Sequence, residues 1–138
     1  MTRTVSELMT PHPTVVEVTD TLRSVAQTMA AQDLGSLVVA EDGTVVGIVT
    51  DRDLVVRGLA QGIGLDAPVG QLATGELVTV GPDDDVADVV RIMREQAVRR
   101  VPVVDGGQAV GVLSIGDLAA ELDPRSALAE ISEAPAQD

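Results

Sequence analysis

The sequence predicts an α/β (α+β) fold of two β-α-β-β-α repeats, packed about a pseudo-twofold axis with the sheets inside and the helices outside. The first observation behind this is a repeat: Val45–Leu54 reads VVGIVTDRDL and Ala109–Leu118 reads AVGVLSIGDL. The same shift of 64 positions, from Leu54 to Leu118, aligns Val5 with Val69, Leu8 with Leu72, Asp20 with Asp84, Met29 with Met93, Val39 with Val103 and Gly43 with Gly107, without a gap. An in-register repeat over most of a chain marks two copies of one unit. The second observation is size: a chain of 138 residues buries a real core, but half of it would be marginal alone. A three-stranded sheet and its helices cannot bury their apolar faces unaided, so the copies are expected to share a core.

Residues 1–60 read as the first repeat, 61–68 as a linker, 69–123 as the second repeat and 124–138 as a polar tail. Val5–Met9 opens the chain as one helical turn capped by Ser6 or Thr4. Pro11 and Pro13 break it. Thr14–Val18 is a short strand rich in β-branched residues. Thr19 or Asp20 can cap the next helix, whose apolar stripe is Leu22, Val25, Ala26 and Met29, running to Gln32. Leu37–Glu41 and Val45–Thr50 flank Asp42-Gly43, a hairpin turn signal. From Asp51 to Ala60 the pattern is helical, with Leu54, Val55 and Leu59 apolar.

The linker Gln61–Pro68 carries two Gly and a Pro. The second repeat keeps the same order. Val69–Leu72 is its opening turn and Leu77–Val80 its first strand. Pro82-Asp83 starts a helix striped by Val86, Val89, Val90 and Met93. Val101–Val104 and Ala109–Ser114 form a hairpin around Asp105-Gly106-Gly107. Ile115–Leu122 is the last helix, ended by Pro124, and the tail holds a weak helical patch at Leu128–Ile131. Apolar helix faces left over after packing suggest a second identical chain as partner.

Composition excludes several functions. There is no aromatic residue, so no ring can stack on a base. The net charge is −13, from 22 acidic residues against nine arginines, which opposes nucleic acid and anionic membranes as partners. The absence of cysteine excludes disulfides, thiol catalysis and thiolate metal sites. His12 stands between two prolines with no second histidine, so no metal site is expected. No apolar run suits a signal peptide or a membrane span, and a cytoplasmic protein is expected. No nucleophile stands with a base and no catalytic carboxylates pair, so the chain does not read as an enzyme.

The repeated segment is Gly-h-h-[Thr/Ser]-x-x-Asp, with h aliphatic. It occurs as Gly47-Ile48-Val49-Thr50-Asp51-Arg52-Asp53 and as Gly111-Val112-Leu113-Ser114-Ile115-Gly116-Asp117. Both copies sit where a strand ends and a helix begins, a place with free backbone N–H groups that suits an anion. A hydroxyl there can bond a phosphate oxygen, and a carboxylate can accept from two ribose hydroxyls. The same spacing also fits a capping box, in which the first residue caps and the fourth reaches back.

Each half resembles a CBS domain, the module named after cystathionine β-synthase. The resemblance rests on the two decapeptides above, on VRRVPVVDGG at Val98–Gly107 and on LMT at Leu8–Thr10, and it covers residues 5–122. The layout is similar to small stand-alone CBS-pair proteins, including those of the actinobacterial hypoxic-response type. The resemblance implies two clefts between the repeats that take adenosine-containing ligands such as AMP, ADP, ATP or S-adenosylmethionine.

Carried over residue by residue, it implies that cleft one joins Thr50, Arg52 and Asp53 to Val78, Val98, Arg99, Arg100 and Val101. Cleft two would join Ser114 and Asp117 to Val15, Leu34, Gly35, Ser36 and Leu37. Ribose would meet the Asp and phosphate the Thr or Ser. Arg99 and Arg100 align with Gly35 and Ser36, so only cleft one offers guanidinium groups to a phosphate. The alternative for these arginines is pairing with surface carboxylates. Pro102 has no counterpart at Val38, and Ile115-Gly116 replaces Asp51-Arg52, which leaves cleft two empty or suited to a neutral nucleoside group.

The function this implies is regulatory: sensing an adenosine-containing ligand and acting through a homodimer on a protein target in trans, with no cofactor. The alternative is a ligand-independent dimerisation or interaction scaffold whose motifs are only helix caps.

Overall fold

The computed structural model describes residues 3–73 and 77–122. Pro124, the polar tail and its patch at Leu128–Ile131 lie outside the described residues. Along the chain run helix α1 (Val5–Leu8), strands β1 (Thr10–Pro11) and β2 (Val15–Glu17), helix α2 (Leu22–Gln32), strands β3 (Ser36–Glu41) and β4 (Thr44–Thr50) and a π-helix (Asp53–Leu59). A 3-10 turn (Val69–Gln71), helix α3 (Val86–Gln96), strands β5 (Arg100–Asp105) and β6 (Gln108–Ser114) and helix α4 (Ile115–Leu122) complete it. The architecture is the mixed α+β class the sequence predicts.

Packing divides the chain at Pro13 and at Leu77. Among the described residues, 14–73 and Leu77 pack together, and 3–13 pack with 78–122. The divisions are therefore offset from the repeat, and each unit takes in the opening turn of the other repeat.

In the continuous unit, β2 runs parallel to β3 and β3 antiparallel to β4. The β3–β4 turn places Asp42 at φ 51° and Gly43 at φ 83°, the left-handed pair that a two-residue hairpin requires. Helix α2 is capped by Thr21, whose Oγ1 accepts from Ser24 N at 3.1 Å. The cap expected at Thr19 or Asp20 falls further along because Asp20 Oδ2 accepts from Glu17 N at 2.9 Å. Two further N–H groups of the first turn of α2 find carbonyls in the linker: Leu22 donates to Ala67 O and Arg23 to Leu65 O.

Leu22, Val25 and Met29 are buried, while Ala26, predicted on the same stripe, is exposed. They pack with Val16, Leu37, Val39 and Val49, and with Val69 and Leu72 from the opening turn of repeat two. That turn docks by its backbone, Val69 N on Asp20 O at 2.7 Å and Gly70 N on Val18 O at 3.0 Å.

The segment after Asp51 is not the α-helix expected. Its hydrogen bonds skip five residues, from Ala60 N to Val55 O at 2.8 Å and from Ile63 N to Gly58 O at 2.9 Å. The wide winding seats buried Gly58 against Leu22 and Leu72, where a Cβ would stand 2.9 Å from Leu22 Cδ2.

The other unit mirrors these devices. Thr4 holds the cap position of α1, but its hydroxyl makes no cap bond. The expected Thr4 or Ser6 cap is replaced by carbonyls: Val5 N donates to Asp84 O at 2.9 Å and Ser6 N to Pro82 O at 2.8 Å. Beyond α1, Thr10 and Pro11 do more than break a helix; they add an edge strand to β6, a position that tolerates proline. Helix α3 is capped by Asp85, whose Oδ1 accepts from Ala87 N at 3.0 Å. The strand expected at Leu77–Val80 shrinks to one parallel bridge, Val80 with Val103. Pro82 offers no N–H to extend it, and Gly81 N is held by Asp84 Oδ2 at 2.8 Å.

Val5, Val80, Val86, Val89, Met93, Val101, Val103, Leu113 and Leu118 form this unit's buried cluster. Most of the buried aliphatic residues gather in two clusters, one per unit. The repeats exchange residues between these clusters, because Val5 completes one and Val69 with Leu72 the other. Among the described residues, no helix is long and apolar enough to cross a membrane.

Candidate functional site

The antiparallel hairpin of each unit delivers its motif to the end of a strand, where the chain turns into a helix. In the continuous unit, Thr50 ends β4 opposite Ser36, and Asp51 N donates to Gly35 O at 3.0 Å. In the other unit, Ser114 ends β6 opposite Arg100, and Ile115 N donates to Arg99 O at 2.9 Å. The aligned residues thus meet in the same way, because one ladder register is repeated.

Both motifs close into reciprocal capping boxes. Asp53 Oδ2 accepts from Thr50 N at 2.9 Å, and Thr50 Oγ1 accepts from Asp53 N at 3.1 Å. Asp117 Oδ2 accepts from Ser114 N at 2.9 Å, and Ser114 Oγ accepts from Asp117 N at 3.1 Å. Each hydroxyl is an acceptor in its box and keeps its own proton for an outside oxygen.

The carboxylates differ beyond that. Asp53 Oδ1 lies 3.9 Å from Arg57 Nη1, one turn along the π-helix. Arg57 escapes the motif reading, although its i,i+4 spacing from an acid is a recognised helix pairing. Four residues beyond Asp117 stands Glu121, which carries the opposite sign.

The surroundings differ as well. Asp51 stands over Gly35, its Oδ2 3.6 Å from where a Cβ would be. Ile115 takes the corresponding place beside Arg99. One motif therefore borders a carboxylate, and the other borders two arginines.

Arg99 and Arg100 are exposed, and neither forms an ion pair among the described residues. Arg52 is likewise exposed and outside any ion pair there. By contrast Arg3, Arg23, Arg57 and Arg91 each meet a carboxylate.

Of the residues predicted to line cleft one, Thr50, Arg52 and Asp53 belong to the continuous unit. Val78, Val98, Arg99, Arg100 and Val101 belong to the other. For cleft two, Val15, Leu34, Gly35, Ser36 and Leu37 belong to the continuous unit, and Ser114 and Asp117 to the other. Within a unit, the structure brings Gly35 and Ser36 to Thr50, and Arg99 and Arg100 to Ser114. Val101 and Leu37 are buried in their clusters, whereas Val15 is exposed.

A model of the CBS domain family matches residues 5–58 and 69–123. Hypoxic response protein 1 of Mycobacterium tuberculosis is 33% identical over 133 residues, covering 95% of this chain and 92% of that protein. The crystal structure of Hypoxic Response Protein I with two coordinated zinc ions superposes with a TM-score of 0.78 at 33% identity, over 86% of this chain and 98% of that one. The CBS domain pair of protein MJ0100, in complex with 5′-methylthioadenosine and S-adenosyl-L-methionine, gives a TM-score of 0.80 at 21% identity, over 91% of this chain and 100% of that one. With its repeated strand-to-helix motif and both halves matched, the chain belongs to the CBS domain family and carries two such domains in tandem.

Proposed function

We propose that this chain is a regulatory module that binds an adenosine-containing ligand, AMP, ADP, ATP or S-adenosylmethionine, and acts through a homodimer. The observation that carries the reading is the state of Arg99 and Arg100. In a chain of net charge −13, two adjacent guanidinium groups stay clear of every described carboxylate and border a Ser-x-x-Asp motif. An anion such as a phosphate is the partner that this arrangement suits. The free hydroxyl proton of Thr50 or Ser114 supports it, and Asp53 or Asp117 supplies the acceptor for ribose hydroxyls. The ligands of the MJ0100 pair support the adenosine part.

Calorimetric titration with the four ligands tests the proposal. Binding is expected, and substituting Arg99 or Arg100 by Ala should weaken a phosphate-bearing ligand by about 1.5–3 kcal/mol. Asp53→Ala and Asp117→Ala then read which motif holds the ribose. The absence of both heat and a thermal shift at millimolar ligand would sink the proposal.

The reciprocal boxes favour a second reading, a ligand-independent dimerisation scaffold in which both motifs are only caps. It requires dimerisation without ligand, and an Asp53→Ala variant that loses stability and no binding. Among the described residues no three His, Cys, Asp or Glu side chains gather as a metal would need.

A further inference from the structure

We infer that the main-chain carbonyl of Val78 selects the base of the ligand: it accepts from an exocyclic amine, as adenine has, and rejects a base with an oxygen in that place. This rests on the ligand reading and adds what chooses the base. Its ground is a hydrogen bond that one repeat makes and the other does not. In the first repeat Val38 N donates to Thr14 O at 3.1 Å, which ties the chain just before β2 to β3. The aligned residues in the second repeat are Pro102 and Val78. Proline has no N–H to donate. The next rung is in place, with Val80 N on Pro102 O at 3.2 Å, so the pairing itself continues. Val78 O is therefore left without the donor that Thr14 O has, and it accepts no hydrogen bond among the described residues. Val78 is half-buried, and most main-chain carbonyls inside a protein are paired.

The groups around this acceptor suit a nucleotide. Arg100 stands two residues before Pro102, on the same face of β5. Across the ladder Arg100 pairs with Ser114, and Ser114 forms the capping box with Asp117. The Val78 stretch flanks β5 on one side and Ser114 lies on the other, two strand spacings or roughly 10 Å apart. A nucleoside monophosphate covers such a distance between its base and its phosphate. All these residues lie in one packed unit. In the first repeat Val38 N already occupies Thr14 O, and Gly35 and Ser36 stand where Arg99 and Arg100 would be. Both ends of a nucleotide lack their partner there.

Adenine offers an amine N–H at the edge where hypoxanthine presents a carbonyl oxygen. That oxygen against Val78 O leaves two acceptors facing each other with no proton between them. Leaving such a group unmatched costs more than a matched bond gains. AMP and inosine monophosphate carry the same sugar and phosphate, so only the base edge distinguishes them.

Calorimetric titration of the full chain with AMP and with inosine monophosphate is the experiment. AMP is expected to bind roughly tenfold or more tightly. P102V supplies the N–H that Val38 has and so occupies Val78 O; it should erase the preference, chiefly through lost AMP affinity. A folded P102V that keeps the preference overturns the inference. Carbon-13 NMR of the Val78 carbonyl in the unchanged chain decides the matter where P102V does not fold. AMP should move that resonance and inosine monophosphate should not; a carbonyl unmoved by bound AMP overturns the inference.

If both nucleotides bind the unchanged chain equally, the inference fails and the ligand reading stands. If AMP gives no heat, the inference fails, and the ligand reading fails with it only when the other three adenosine ligands are silent too.

Discussion

The Arg3 guanidinium hydrogen-bonds the Glu7 carboxylate one turn along the chain. With a smaller charge attraction and bonds from Thr4, it holds Glu7 below the usual carboxylate range against an opposing desolvation effect. A carboxylate with a lowered folded pKa adds stability above its unfolded pKa, and the contribution disappears as pH falls through the folded one. An NMR titration should find Glu7 acidic, and Arg3→Ala should return it toward the ordinary value. The capping boxes allow a sharper expectation. Ser114→Ala removes the oxygen that accepts from Asp117 N and should cost about 1 kcal/mol in denaturant unfolding. Much of this site is legible in the sequence because a Ser-x-x-Asp spacing closes within one turn, whatever the rest of the chain does. The isolation of Arg99 and Arg100 is not, since pairing depends on which carboxylates the fold brings near. Spacing alone leaves their two readings level.

At the scale of elements, aligned glycines show how far a repeat can be trusted. Gly47 and Gly111 occupy the same motif position. A Cβ on Gly47 would meet Ala73 Cβ at 3.5 Å, an ordinary contact. On Gly111 it would stand 2.9 Å from Thr10 O and still closer to the Met9 side chain. Gly111→Ala should therefore destabilise by roughly 1–3 kcal/mol, the usual range for overpacking, and Gly47→Ala should be nearly neutral in the same thermal melts. The difference is β1, which pairs with β6 beside Gly111. No sequence signal announces that strand, because Thr10 and Pro11 are extended only by their partner. The same holds for the π-helix, where Leu22 and Leu72 meet Gly58 from elsewhere in the chain. By contrast the hairpins at Asp42-Gly43 and Gly106-Gly107, and helices α2 and α4, fall where turn chemistry and apolar spacing put them, while α3 keeps its apolar stripe but starts at Val86 rather than at Pro82-Asp83. Those signals are local.

At the scale of the molecule, the packed units and the sequence repeats do not coincide. Val69 and Leu72 are 0% and 2% exposed within a cluster whose other buried members all come from the first repeat. Burying each is worth about 1.5–3 kcal/mol, a large share of the stability a unit this small can have. A fragment of residues 14–77 should melt cooperatively by circular dichroism, whereas residues 1–60, which lack both side chains, should not.

The exchanged opening turns also fix an order of events during synthesis. The buried cluster from Val16 to Leu72 is complete once Leu77 leaves the ribosome, and domains commonly fold as they emerge. Val5 must wait, because Asp84 O, Val103 and Leu113 have not yet emerged. A nascent chain at that point carries a finished inner unit and an unplaced apolar leader, Val5, Leu8 and Met9. The same leader on a neighbouring ribosome fits the same gap, so crowded polysomes are where two copies would trade their opening turns.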